Sequence, residues 1–411
     1  MIVTTTIAPA PATGHRLHAL DAVRGLALLA GVVLHATMSF LPGLGAAGWP
    51  IADLSTSRSL AVLFFVIHMG RMTTFFLLSG FLGRLLLQRE GIWSFVRNRG
   101  RRILLPLVVG WIILYPTTVA LMIWGGAHSQ RGRFRLGPHP FSLLHLWFLY
   151  LLVGMYAAVL LAHWCFESRL DPDGRLRARV DTWILAIASR SWAPVVFAAP
   201  LCVALYCHPR WYSWFGIPTP RGLVPSAATL IGYGTAFVLG WLLHRQRDPL
   251  PVLERQWGLH LASAVAFTVA SVVLIGATPT FTVAAAGPRT LLYAACYSLA
   301  TWNWTFGVIG FSLKFFATAS PLRRYLADAS YWIYLVHLPV VMLLQALLQN
   351  DPRHWTIKFP LVLGVALTLT FASYHYLVRF TALGVVLNGR RHVRRTASGS
   401  NSPVTVPHAN G

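Results

Sequence analysis

The chain has 411 residues, of which 56% are hydrophobic and only 11% charged, and its net charge is +23. Soluble domains carry about 25% charged residues, so an ordinary soluble globular protein is excluded and an all-α, polytopic membrane helix bundle is expected. The positive charge needs no nucleic-acid partner, because lysine and arginine gather in the cytoplasmic loops of such proteins. Cys165, Cys202, Cys207 and Cys296 show no CxxC or Cys/His metal spacing; they read as free thiols, and no metal is expected.

Residues 1–15, rich in Ala, Pro and Thr, read as a disordered tail and not as a signal peptide. Apolar runs of about 20 residues mark membrane spans. Ten follow, at roughly 19–41, 60–88, 103–125, 145–164, 192–207, 225–244, 257–277, 290–312, 328–349 and 358–380. The second is long, and a His68-Met69-Gly70 step is expected to break it. Placing the N-terminus inside puts most arginines on the inner side, and an even span count puts the C-terminus there too. One membrane domain over 16–382 is expected, with a disordered basic tail at 383–411.

The first span carries three groups that lipid does not tolerate: Asp21, Arg24 and His35. An ionised side chain at bilayer depth costs about 2.5–3.5 kcal/mol on insertion scales, so it faces protein or a water-filled cavity. Eleven residues separate Arg24 from His35, which is three turns plus about 20°, with about 16 Å of rise. Asp21 lies within about 60° of Arg24. Such a stripe reads as the wall of a channel or of an active-site shaft. The bland reading is a helix-end salt bridge plus a core histidine. It is weaker for His35, which sits in the outer half in an apolar turn, where a neutral imidazole is the form a general base needs.

Arg71 falls at about the depth of His35. It either snorkels to the outer headgroups or serves as a fixed cation for an oxyanion or an anionic group. At the inner surface, Arg97, Arg99, Arg101 and Arg102 satisfy the positive-inside rule, but arginine forks also suit phosphate, so a polyphosphate clamp is the functional alternative. After an outer loop with Arg131, Arg133 and Arg135, His145 and Trp147 open the fourth span. An aromatic belt accounts for the tryptophan, and the arginines hint at an anionic or sugar acceptor. Tyr334 and His337 are i,i+3 neighbours near mid-membrane, as a structural pair or as part of the shaft. Trp302 and Trp304 read as packing.

Taken together, these residues resemble the acyltransferase 3 family of membrane-bound acyltransferases. The resemblance rests on Leu20-Asp21-Ala-Val-Arg24-Gly25 followed by His35, and on Phe75-Phe-Leu-Leu-Ser-Gly-Phe81. It also rests on the arginine cluster running into Ile103 and Pro106, on His145-Leu-Trp-Phe-Leu149, and on Ser330-Tyr-Trp-Ile-Tyr-Leu-Val-His-Leu-Pro339. The start of span two and the His145 element look closest to the glucan biosynthesis protein C branch, although Thr73 stands where that branch tends to carry proline.

The resemblance implies acyl transfer from cytoplasmic acyl-CoA to a hydroxyl of an extracytoplasmic glycan or other envelope acceptor, in an inner (plasma) membrane. It implies Arg24 and His35 as functional residues, and an inner arginine pair drawn from Arg97 or Arg99 with Arg101 or Arg102, of which Arg99 and Arg102 fit the R-x-x-R spacing. On the residues alone, Arg71 joins the catalytic candidates, and Asp21, His145, Trp147, Tyr334 and His337 line the shaft. Two rivals stay open: a transporter of an anionic or glycan precursor, and a structural protein whose histidines respond to pH.

Overall fold

The computed structural model of the protein describes residues 13–132, 142–165, 171, 173–220, 222–244 and 249–388. The outer-loop arginines Arg133 and Arg135, and the tails at 1–12 and 389–411, lie outside the described residues. Every long element is a helix. In hydrocarbon a helix satisfies its own backbone donors and acceptors, which an open strand does not.

In chain order the helices are α1 (Thr13–Thr37), α2 (Arg58–Arg99), α3 (Leu105–His128), α4 (Trp147–Cys165), α5 (Arg175–Ala188) and α6 (Ala193–Tyr206). They continue with α7 (Ala227–Leu243), α8 (Pro249–Ile275), α9 (Pro288–Phe315), α10 (Pro321–Leu348), α11 (Trp355–Ser373) and the short α12 (Ala382–Asn388). Side chains set several starts: the Ser57, Ser226 and Ser320 hydroxyls accept from the N–H of Leu60, Thr229 and Arg323, and Pro321 occupies the first turn of α10.

Six helical stretches among the described residues are long and apolar enough to cross a membrane, or seven if α5 and α6, bent by 104°, form one span. The ten apolar runs of the sequence exceed this number for identifiable reasons. The stretch Arg58–His128 is helical throughout and counts once. Helix α7 is only 17 residues long. Helix α9 has the length, but its apolar run is interrupted by buried Ser298, Thr301, Asn303 and Thr305. The break expected at His68–Gly70 is absent. Helix α2 is continuous there and kinks instead at Gly91, whose φ of 78° is one that L side chains rarely adopt. Helix α12 occupies the first residues of the segment expected to be a tail.

Helix α2 is the hub, and glycines set its distance from its neighbours. A Cβ at Gly80 would meet the Phe237 carbonyl of α7, and one at Gly240 would meet the Leu77 carbonyl of α2. A Cβ at Gly70 would lie 2.5 Å from Trp304 Cβ of α9, and one at Gly83 would lie 2.5 Å from the Tyr156 ring of α4. Lipid tails are as apolar as leucine, so small residues that let backbones touch supply the packing that drives helix association. Helix α10 lies against α1 in the same manner, with Ala327 N 3.5 Å from a Cβ at Gly25.

The segment before α2 is tied to α11 by a buried ion pair. Lys358 of α11 is fully buried and Asp53 is 1% exposed. The Lys358 ammonium donates to Asp53 Oδ1 at 2.5 Å and to the Asp351 carbonyl at 2.8 Å. The segment carrying Asp53 is also fixed by the Asp53 N–H donating to the Ser39 carbonyl at 2.9 Å and the Leu54 N–H to the Gln349 carbonyl at 3.0 Å.

Two predictions follow from this packing. Gly240→Ala obstructs backbone, and overpacking costs about 1–3 kcal/mol; it should lower the melting temperature in detergent. Gly364→Ala has nothing within 4 Å and should leave that temperature unchanged or slightly raised. Lys358→Met leaves Asp53 buried without its cation and should destabilise by about 3–5 kcal/mol, while adding Asp53→Leu should recover much of the loss. A double variant no more stable than Lys358→Met would show that the pair is not the source.

Candidate functional site

One stripe of α1 turns Arg24, Leu28, Gly31 and His35 into a single cavity of about 410 Å³. The spacing of four, three and four residues keeps one face of a helix. Helix α10 contributes Ala327, Ser330, Tyr331, Tyr334 and His337 to the same void, again at helical spacing. Helix α2 closes one side with Arg71, Phe75 and Ser79, and α4 another with Trp147, Phe148 and Tyr156.

One end of the cavity is cationic. Arg99 and Arg102 line it, together with Arg24, Arg89 and Glu90. The Arg99 guanidinium lies over the rings of Tyr156 at 4.9 Å and Phe95 at 5.3 Å, where ring quadrupoles favour a cation. Arg102 Nε and Nη2 donate to the Leu387 carbonyl at 3.1 and 2.9 Å. Helix α12 thus touches this end of the cavity. The Tyr331 hydroxyl donates to the Arg102 carbonyl at 2.5 Å. Arg97 and Arg101 are exposed and do not line the cavity. Asp21 does not line it either. It pairs with Arg24 at 3.2 Å, and the Arg24 guanidinium also donates to the Ala327 carbonyl at 3.4 Å.

The opposite end gathers histidines. The His35 and His337 ring centroids are 5.1 Å apart, and those of His145 and His337 are 5.4 Å apart. His145 Nε2 bonds the Leu335 carbonyl at 3.0 Å, and the Tyr334 hydroxyl donates to the His145 carbonyl at 2.7 Å. His337 Nδ1 bonds the Tyr334 and Ile333 carbonyls at 2.8 and 3.0 Å. Trp147 is buried and stacks on Tyr233 at 5.4 Å. Arg71 stands among these groups, its Nε buried without a partner. A Cβ at Gly31 would run into the Arg71 guanidinium, so the glycine makes the room for it.

The structure therefore brings together Arg24, Arg71, Arg99, Arg102, His35, His145, Trp147, Tyr334 and His337, and leaves Asp21, Arg97 and Arg101 outside the void. Three residues that sequence reading passed over matter here. Gly31 shapes the Arg71 site, Tyr331 ties α10 to the arginine turn, and Gln345 donates from Nε2 to the His35 and Ala36 carbonyls at 3.0 Å each. A glutamine in an apolar span is a visible signal, but its partner lies about 300 residues away along the chain. Trp302 is fully buried against Phe197 at 5.1 Å, and Trp304 covers Gly70. Among the described residues no group of three or more His, Cys, Asp or Glu is placed to hold a metal ion.

Comparison with known proteins gives one match. A family model described as an acyltransferase domain, the acyltransferase 3 type, matches residues 17–375. Neither a curated protein nor a solved structure matches the chain.

Proposed function

This chain belongs to the acyltransferase 3 family and is a membrane-bound acyltransferase, and on that premise we propose that it moves an acyl group from cytoplasmic acyl-CoA to a hydroxyl of an extracytoplasmic glycan or other envelope acceptor. The observation that carries this reading is the single void with arginines at one end and histidines at the other. In this reading both termini lie in the cytoplasm and the protein resides in the inner (plasma) membrane, with the arginine end facing in.

The phosphates of CoA would rest on Arg99 and Arg102, whose forks match phosphate oxygens. Binding there competes with the Leu387 carbonyl for Arg102. The pantetheine arm would rise past Arg24 and bring the thioester to His35, about 16 Å further along α1. The acceptor hydroxyl oxygen attacks the thioester carbonyl carbon, and its proton passes to the free nitrogen of His35. The carbon–sulfur bond then breaks, and the CoA thiolate takes up that proton. General-base assistance of this kind is worth about 10²–10⁴-fold. The Arg71 guanidinium faces the oxygen that gains charge, a contribution of about 10²–10³ per donor. A relay in which His35 is acylated first uses the same groups.

The acyl group is acetyl or succinyl. The resemblance to the glucan biosynthesis protein C branch favours succinyl, whose carboxylate would meet Arg71. Offering both thioesters to the purified protein decides between them.

Two predictions test the reading. His35→Ala should abolish CoA release and transfer while the protein still inserts and melts normally, and Arg71→Ala should lower kcat by about 10²–10³; normal product from His35→Ala would remove that residue from the chemistry. Arg99→Ala and Arg102→Ala should each raise KM for acyl-CoA by about tenfold or more, at roughly 1.5–3 kcal/mol for a hydrogen bond to a charged group. Arg97→Ala and Arg101→Ala should leave KM within about twofold, since exposed pairs contribute little. Equal effects from all four would assign donor binding to bulk positive charge.

A further inference from the structure

Helix α1 ends just past His35. Its last residue is Thr37, and a 3₁₀ turn, Met38–Phe40, follows. The final carbonyls of a helix have no intrahelical donor, and inside a bundle they need one from elsewhere. Here the Thr37 hydroxyl donates to the Leu34 carbonyl at 2.7 Å, and Gln345 of α10 donates to the His35 and Ala36 carbonyls. The Leu41 N–H closes the turn on the Met38 carbonyl at 3.2 Å. The backbone that carries His35 is therefore held by α10, by its own threonine and by the turn that follows it.

The ring itself has one hydrogen-bond partner among the described residues. Its Nδ1 lies 3.3 Å from Met38 Sδ, on a side chain half-buried against the core. A thioether has lone pairs and no hydrogen to give, so the nitrogen is the donor. In a neutral imidazole, hydrogen on Nδ1 leaves the lone pair on Nε2, and this ring lines the cavity. The other tautomer would set the Nδ1 lone pair against those of sulfur. It would also place a hydrogen on the nitrogen that has to accept one. The neighbouring groups offer Nδ1 nothing better. The His337 ring, 5.1 Å away between centroids, has its own Nδ1 spent on the Tyr334 and Ile333 carbonyls. Arg71 has donors only.

We propose that Met38 is a positioning residue for the transfer: it holds His35 as the Nδ1–H tautomer, so that Nε2 is the nitrogen that takes the acceptor's proton. The inference rests on His35 being the base of the proposed transfer and adds the residue that keeps its reactive nitrogen bare. When Nε2 accepts the proton, Nδ1–H stays directed at sulfur, so no proton passes through Met38. A carboxylate at position 38 would hold the same hydrogen more tightly. It would also bring an ion to a depth where ions are costly, and a partner for Arg71. Sulfur sets the tautomer without adding a charge.

Tautomer and turnover are read separately, on the full chain in nanodiscs. Magnetic resonance of isotope-labelled histidine ring carbons reports which nitrogen carries hydrogen, and the His35 signal is the one missing from His35→Ala. The wild type should show the Nδ1–H form. Met38→Leu, which keeps an apolar side chain without the acceptor, should show a mixture. Turnover is CoA release from acetyl-CoA and from succinyl-CoA, with maltose present as a hydroxyl acceptor. In Met38→Leu kcat should fall about 3–10-fold, the weight of one neutral hydrogen bond, with KM for acyl-CoA unchanged. Met38→Asn, whose Oδ1 stands as many bonds from the backbone as Sδ, should restore the tautomer and part of the rate. A wild-type ring in the Nε2–H form, or in a mixture, overturns the proposal without any variant having to fold. A tautomer unchanged in folded Met38→Leu overturns it as well. A tautomer that shifts while kcat stays constant removes His35 Nε2 from the chemistry and overturns the reading beneath.

Discussion

A guanidinium held among apolar helices is the constraint on which this structure turns. Arg71 sits at the histidine end of the cavity with its Nε unpartnered, and the space it occupies exists because position 31 of α1 has no side chain. Lipid would not accept that charge without compensation, so α2 cannot rotate to present Arg71 elsewhere. Close contacts at Gly70, Gly80 and Gly83 fix the rotation from three sides, against α9, α7 and α4. The stripe of α1 then has only one direction in which to face, and His35 is delivered beside Arg71. Gln345 completes the arrangement by holding the His35 carbonyl from α10.

The two ends of the cavity are chemically opposite. One end offers donors and positive charge, supplied by Arg24, Arg99 and Arg102. The opposite end gathers His35, His145 and His337 around the Arg71 cation. A phosphorylated carrier with a long neutral arm matches that order, charged end first and reactive end last. That match is the reason the proposed function brings the donor in from the arginine end.

Much of this was legible in the sequence, and the parts that were not share a cause. The α1 stripe depends only on helical period, so Arg24 and His35 could be placed on one wall from their spacing. The inner arginines could not be sorted, because a π turn at Gly100–Leu104 follows Arg99. The turn breaks the ordinary angular step between neighbours, and Arg102 faces the cavity where Arg101 does not. Gly31 and Gln345 act through partners on other helices, so neither announces its role locally. Helix α5 was missed because four charged residues along 14 positions hide an apolar face. Helix α9 was read as an ordinary span, although its polar residues are buried by protein.

In the proposed transfer, the choice of His35 as base follows from the same confinement. The only carboxylate lining the cavity among the described residues is Glu90, and it lies at the arginine end. A carboxylate in the place of His35 would be an ion at a depth where ions are costly. It would also pair with Arg71 and neutralise it. An imidazole carries no charge until it accepts the proton. In the proposed transfer Arg71 would therefore stay unpaired until negative charge develops on the reacting carbonyl, and its interaction would be strongest in the transition state, where it would accelerate the reaction.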